Sequence, residues 1–172
     1  MNAVARFMYV SPERFRADWR DAFGDVPAPG FAPLPRRATA GSAGYDFFAP
    51  EAIALEPDET VTIPTGVRAR IEPGWVLMLF PRSGLGFKYR LQLNNTVGIV
   101  DADYFGARNE GHIFIKLVNA GDRPLRVARG EAFAQGVFVP FGLAADDDAR
   151  AERTGGFGST DANGSGNQNT LL

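Results

Sequence analysis

The chain has 172 residues, 45% of them hydrophobic, and a formal net charge of −2, which suits one globular domain with a sizeable core and no basic footprint for polymeric nucleic acid. Cysteine is absent and His112 is the sole histidine. Disulfides, thiolate nucleophiles and zinc nucleobase deaminase chemistry are thereby excluded, and a Ser-His-Asp site or a multi-histidine metal cage is disfavoured.

Ala5 to Val10 (ARFMYV) reads as a first strand. SPERFRADWRDAFG then carries the clearest helix signal. Ser11 is its cap, Pro12 fits the first helical position, and Gly24 stops it. Phe15, Trp19, Ala22 and Phe23 form one apolar stripe, as expected of a helix docked on a sheet. This strand and helix occupy residues 1–24, and a proline-rich extended connector follows over 25–37.

The body alternates short strands with turns. TVTIP (Thr60–Pro64), VRARI (Val67–Ile71), WVLMLF (Trp75–Phe80), HIFIKLVN (His112–Asn119) and AFAQGVFV (Ala132–Val139) carry the β-branched and aromatic residues of strands. PTG, EPG, NAGD and ARGE supply turns. No helical stretch separates these strands, so parallel βαβ units are not expected. The prediction is an all-β barrel or sandwich over residues 1–152 with one added helix. Residues 153–172 form a glycine-rich arm too polar to offset its own ordering entropy, and it is expected to be mobile unless a ligand orders it. No signal peptide opens the chain and no apolar run is long enough for a bilayer, so a soluble cytoplasmic protein is expected.

Three clusters could carry chemistry. In PRSGLGFK (Pro81–Lys88), Arg82, Ser83 and Gly84 combine a planar cation, a hydroxyl and an approachable backbone, a set suited to phosphate oxygens as well as to a plain β-turn. In NNTVGIVDADYFG (Asn94–Gly106), Asp101 and Asp103 would share one face of an extended segment. Apolar neighbours would half-bury one carboxylate able to take a proton from water, with Tyr104 beside it. An Asp-rich turn with a core tyrosine fits the same residues. In RTGGFGST (Arg153–Thr160), Arg153, Ser159 and Thr160 are phosphate-binding types, and Phe157 is a lone ring able to stack on a base.

With SAGYDFFA (Ser42–Ala49) and RGEAFAQ (Arg129–Gln135), these stretches resemble, in order, the five motifs of the trimeric all-β dUTPases. The resemblance implies a jelly-roll-like subunit and a homotrimer with three shared active sites, each closed by a C-terminal arm. It also implies Mg²⁺-assisted hydrolysis of dUTP to dUMP and pyrophosphate, which limits uracil incorporation into DNA and supplies dUMP for dTMP synthesis. Asp101 is similar to the base that activates the water attacking the α-phosphorus. Tyr104 resembles the ring under the sugar that rejects a 2′-hydroxyl. Asn95 resembles the amide that reads uracil, helped by the backbone around Gly98 and Ile99. Arg82, Ser83 and Gly84 resemble the phosphate clamp, with Gln135 alongside. Asp46 resembles a carboxylate near the metal's water shell, the Mg²⁺ itself being held mainly by the triphosphate. In the arm, Arg153, Ser159 and Thr160 would hold the terminal phosphates, and Phe157, followed by Gly158, would stack on uracil.

The chain departs from that pattern in its N-terminal helix, in a longer segment after Gly106 (ARNEG), and in placing Arg153 four residues before Phe157. A dCTP deaminase shares the implied fold, trimer and clamp but lacks the Asp-x-x-Tyr arrangement of Asp101 and Tyr104. A binding or regulatory protein on the same scaffold would use the extra segments to grip a partner, and remains compatible with catalysis.

Overall fold

The computed structural model describes residues 2–150. In chain order the elements are β1 (Ala5–Tyr9), α1 (Pro12–Phe23), β2 (Arg36–Arg37), β3 (Tyr45–Phe48), β4 (Ile53–Leu55), β5 (Thr60–Pro64), β6 (Val67–Ile71) and β7 (Trp75–Pro81). They continue with α2 (Ser83–Tyr89), β8 (Leu91–Leu93), β9 (Gly98–Val100), a 3₁₀ turn over Ala102–Gly106, β10 (Phe114–Asn119), β11 (Leu125–Val127) and β12 (Ala132–Pro140). This is the expected all-β, jelly-roll-like architecture with a helix at its N-terminal end. Among the described residues no helix is long and apolar enough to cross a membrane.

The strands pair antiparallel in four sheets, ordered β2-β3-β12-β7-β9, β5-β10-β8, β1-β6 and β4-β11. Alternation decides which side chains go inside. In β7, Leu77 and Leu79 are buried while Val76, Met78 and Phe80 are only half-buried on the other face. The inward set packs with Phe47, Ile115, Leu117, Leu125 and Phe133 in one core. β6 shows the wet face its alternation predicts, burying Val67, Ala69 and Ile71 and exposing Arg70.

Helix α1 starts and stops as its sequence predicts. The Ser11 hydroxyl accepts the Arg14 N–H at 3.1 Å, and Gly24 leaves the helix with φ +66°, a conformation glycine adopts without penalty. Its buried face differs from the predicted stripe, because Phe15, Asp18 and Trp19 go inside while Ala22 is exposed. Phe15 stacks on Phe31 of the connector at 4.8 Å, forming a satellite core with Val10 and Trp19.

A second helix, α2, occupies much of PRSGLGFK, whose residues suit a phosphate-binding turn and a plain β-turn alike. Two glycines in seven residues, and no residue of α2 fully buried, leave little helical signal to read. Arg90 ends it in the left-handed conformation, its N–H donating to the Gly86 carbonyl at 2.9 Å.

Candidate active site

Three of the predicted residues converge at one end of the five-stranded sheet. In the register of β3, β12 and β7, Asp46 lies opposite Gln135, and Gln135 opposite Phe80. A bulge between Ala132 and Ala134 sets this phase, so that Phe133 and Ala134 both stay in the core and Gln135 turns outward with Asp46. Arg82 follows Pro81 at the end of β7, and its Nη1 donates to Asp46 Oδ2 at 2.9 Å. Gln135 Nε2 donates to the Pro81 carbonyl at 3.1 Å. Asp46 therefore aims the guanidinium fork while leaving it partly exposed, with 39% of the Arg82 side chain accessible. Ser83 and Gly84 form the exposed first turn of α2 beside it.

The second group lies on and after β9. Gly98 and Val100 face inward, and a Cβ at Gly98 would stand 3.0 Å from Leu79 Cβ. Ile99 is on the outer face, 46% exposed, and Asp101 follows in extended conformation, half-buried. The chain then turns into the 3₁₀ segment, and the Tyr104 N–H donates to the Asp101 carbonyl at 3.2 Å. Asp101 and Asp103 accordingly do not share a face of one extended segment, since extension ends at Asp101 and Asp103 is exposed on the turn. The Tyr104 ring is only 2% exposed, and its hydroxyl donates to the His112 carbonyl at 2.7 Å.

Asn95 sits in the β8–β9 turn, exposed, at the rim of a cavity of about 410 Å³. Leu79, Leu93, Gly98, Asn109 and Lys116 complete much of its wall. Asn109 was not singled out from the sequence. It lies in the longer segment after Gly106, and only its closeness to the Asp101–Tyr104 motif pointed to it.

The two groups stand apart. β9 runs antiparallel to β7, pairing Gly98 with Leu79 and Val100 with Leu77. Asp101 thus continues toward the Trp75 end of β7, while Arg82 lies beyond the other end, about 20 Å away by the usual strand rise. Between them the outer face carries half-exposed Val76, Met78, Val137 and Val139 beside Ile99. Arg153, Phe157, Gly158, Ser159 and Thr160 lie outside the described residues.

Among the described residues no three His, Asp or Glu side chains gather as a metal cage. Asp46, the predicted metal neighbour, is already bonded to Arg82. Asp46 is thus a carboxylate bonded to the Arg82 guanidinium, placed where it could meet the water shell of an ion brought in on a phosphate chain.

A dUTPase family model matches residues 31–161, leaving β1 and α1 outside it. The deoxyuridine 5′-triphosphate nucleotidohydrolase of Lactococcus lactis subsp. lactis is 45% identical over 133 residues, covering 75% of this chain and 88% of that one. The Chromobacterium violaceum protein of the same name is 43% identical over 135 residues, covering 74% and 87%. The crystal structure of dUTPase from Streptococcus mutans matches with a TM-score of 0.61 at 36% identity, covering 80% of this chain and 97% of that chain. With its five motifs in order and its fold shared, this chain belongs to the dUTPase family.

Proposed function

We propose that the protein hydrolyses dUTP to dUMP and pyrophosphate in sites shared between the subunits of a homotrimer. The observation that carries the shared site is the separation of Asp101 from Arg82 at opposite ends of one outer sheet face. The half-exposed apolar band between them is the kind of surface that a further copy covers. A head-to-tail contact across that band would bring the clamp end of one subunit to the Asp101 end of the next, and three such contacts close a ring.

In this site the pyrimidine enters the cavity under Asn95, whose amide can both donate to and accept from uracil. Gly98 packs closely on Leu79 in the cavity wall, and that wall is the part of the pocket proposed to exclude a 5-methyl group by shape. Tyr104 is the floor under the sugar. Its ring shows only a sliver of surface, so it acts by occupying the space that a 2′-hydroxyl would need. Asp101 accepts the proton of the water that attacks the α-phosphorus, worth ~100- to 10,000-fold in rate. The neighbouring subunit's Arg82, Ser83 and Gln135 hold phosphate oxygens, and Asp46 keeps the Arg82 fork turned toward them. Asp46 would meet the water shell of a Mg²⁺ carried by the triphosphate, an ion that would supply charge neutralisation for the departing pyrophosphate. From the arm, Arg153, Ser159 and Thr160 hold the terminal phosphates, and Phe157, with Gly158 beside it, covers the base. The reaction keeps uracil out of DNA and yields dUMP for thymidylate synthesis, work suited to the cytoplasm.

The test is product analysis on the purified protein with Mg²⁺, offering dUTP, dCTP, dTTP and UTP separately. Consumption of dUTP alone, giving dUMP and pyrophosphate, is the expected outcome. Release of ammonia from dCTP would replace the reaction while keeping the fold.

A further inference from the structure

The two segments that depart from the family pattern, α1 and the stretch after Gly106, are bonded to each other. The Ser11 backbone N–H donates to Glu110 Oε2 at 2.8 Å, and the Ser11 hydroxyl donates to Glu110 Oε1 at 2.6 Å. Deeper in, His112 Nδ1 lies 2.6 Å from Asp18 Oδ2 with the histidine fully buried. Its Nε2 accepts the Gly66 N–H at 2.8 Å, so the ring proton sits on Nδ1 and is donated to Asp18. Arg14 closes the group with two bonds to the Asp18 carboxylate. A buried carboxylate on an otherwise apolar helix face is thus satisfied by the chain's sole histidine and an arginine one turn away.

The segment so anchored grips Tyr104 at both ends. Asn109 Nδ2 donates to the Tyr104 hydroxyl at 2.7 Å, and that hydroxyl donates to the His112 carbonyl at 2.7 Å. The Asn109 side-chain oxygen accepts the Gly111 N–H at 3.2 Å, which fixes the amide's orientation. On the backbone side, Gly111 packs so tightly that a Cβ there would come 2.7 Å from the Tyr104 carbonyl and 2.8 Å from Phe105 Cα.

We propose that Asn109 is the positioning residue for Tyr104, and that α1, through Ser11–Glu110 and Asp18–His112, holds Asn109 in place and so tunes sugar selectivity. The inference rests on the reading of Tyr104 as the ring under the sugar. A ring buried to 2% exposure selects by where it stands, not by how far it reaches. The bonds that place it therefore set how much room a 2′-hydroxyl finds.

The experiment compares kcat/KM for dUTP and for UTP in the native full-length protein and in Asn109→Ala, Glu110→Ala and Tyr104→Leu. Asn109→Ala should lower the dUTP-to-UTP ratio about tenfold, as expected for losing one buried hydrogen bond. Glu110→Ala, which removes both Ser11 bonds, should lower it by about threefold. Tyr104→Leu separates the two layers of the argument. If it leaves the ratio intact, the reading of Tyr104 falls and this inference falls with it. If Tyr104→Leu abolishes selectivity while Asn109→Ala preserves it, the positioning role is overturned and the reading of Tyr104 stands. Should Asn109→Ala fail to fold, an unchanged ratio in Glu110→Ala overturns the proposal equally. A uniform loss of activity toward both nucleotides would show a merely structural role and also overturn it.

Discussion

The two ends of β7 are built in different ways. At the Pro81 end, Asp46, Gln135 and Arg82 are placed by strand register, and their side chains are oriented by hydrogen bonds to one another and to the Pro81 carbonyl. At the Trp75 end, β9 hands the chain to a 3₁₀ turn, and Tyr104 is held from outside by Asn109, His112 and Gly111, in a segment that α1 and its cap bond at His112 and Glu110. A sheet register is costly to shift, because a slip of one residue turns every side chain to the other face. A turn fixed by a neighbouring loop can be adjusted by changing the loop. In this account the end proposed to grip phosphate is rigid by construction, and the end proposed to screen the sugar is set by an accessory pair of segments.

Changes at each end should separate accordingly. The largest effect is expected from Asp101→Asn, which should cut dUTP turnover about 1,000-fold while nucleotide binding persists. Pyrophosphate release and equilibrium binding check this together, and undiminished turnover would remove Asp101 as the base. Gly111→Ala should damage the accessory end. With φ at +68° and backbone atoms inside contact distance, the added methyl should lower unfolding stability by about 2–4 kcal/mol, read by denaturant melts.

The smallest effect concerns pH. Burial holds the His112 pKa below its usual 6.5, outweighing the facing Asp18 and Glu110, which raise it, while Arg14 adds to the lowering. Hydrogen bonds from the Ser11 hydroxyl and backbone lower the Glu110 pKa from its usual 4.5, aided by Arg68 and Arg14. For both groups the unfolded chain binds more protons, so their contribution is complete above about pH 6.5 and declines on acidification. His112 acts first and Glu110 only below about pH 4.5. The melting temperature should therefore be level from pH 7 to 8 and fall by a few degrees toward pH 5. A melting temperature that rises over that interval would contradict the neutral buried histidine.

Much of this was legible in the sequence, and what was not has a physical reason. β5 and β6 begin and end where alternation and turn residues put them, and α1 is bounded by Ser11 and Gly24 as predicted. Strands of two or three residues, such as β2, β8, β9 and β11, are too short to show a period. The candidate site residues Asp46, Arg82 and Gln135 could be named from motifs, but their shared register depends on a bulge that no periodicity reveals. The α1–loop pairing joins Asp18 to a histidine 94 residues away. One clue was present: an aspartate between Phe15 and Trp19 on an apolar face must find a partner.

The central claim is that one site draws Asp101 and Arg82 from different subunits. It is tested most directly by refolding a mixture of two impaired variants, Asp101→Asn and Arg82→Ala, in equal amounts. Shared sites predict that activity returns to about a quarter of the native rate, the chance that one site receives both intact residues. If the mixture stays as inactive as its parts, the two residues serve the same subunit's site, and the arrangement across the outer face of the sheet is wrong.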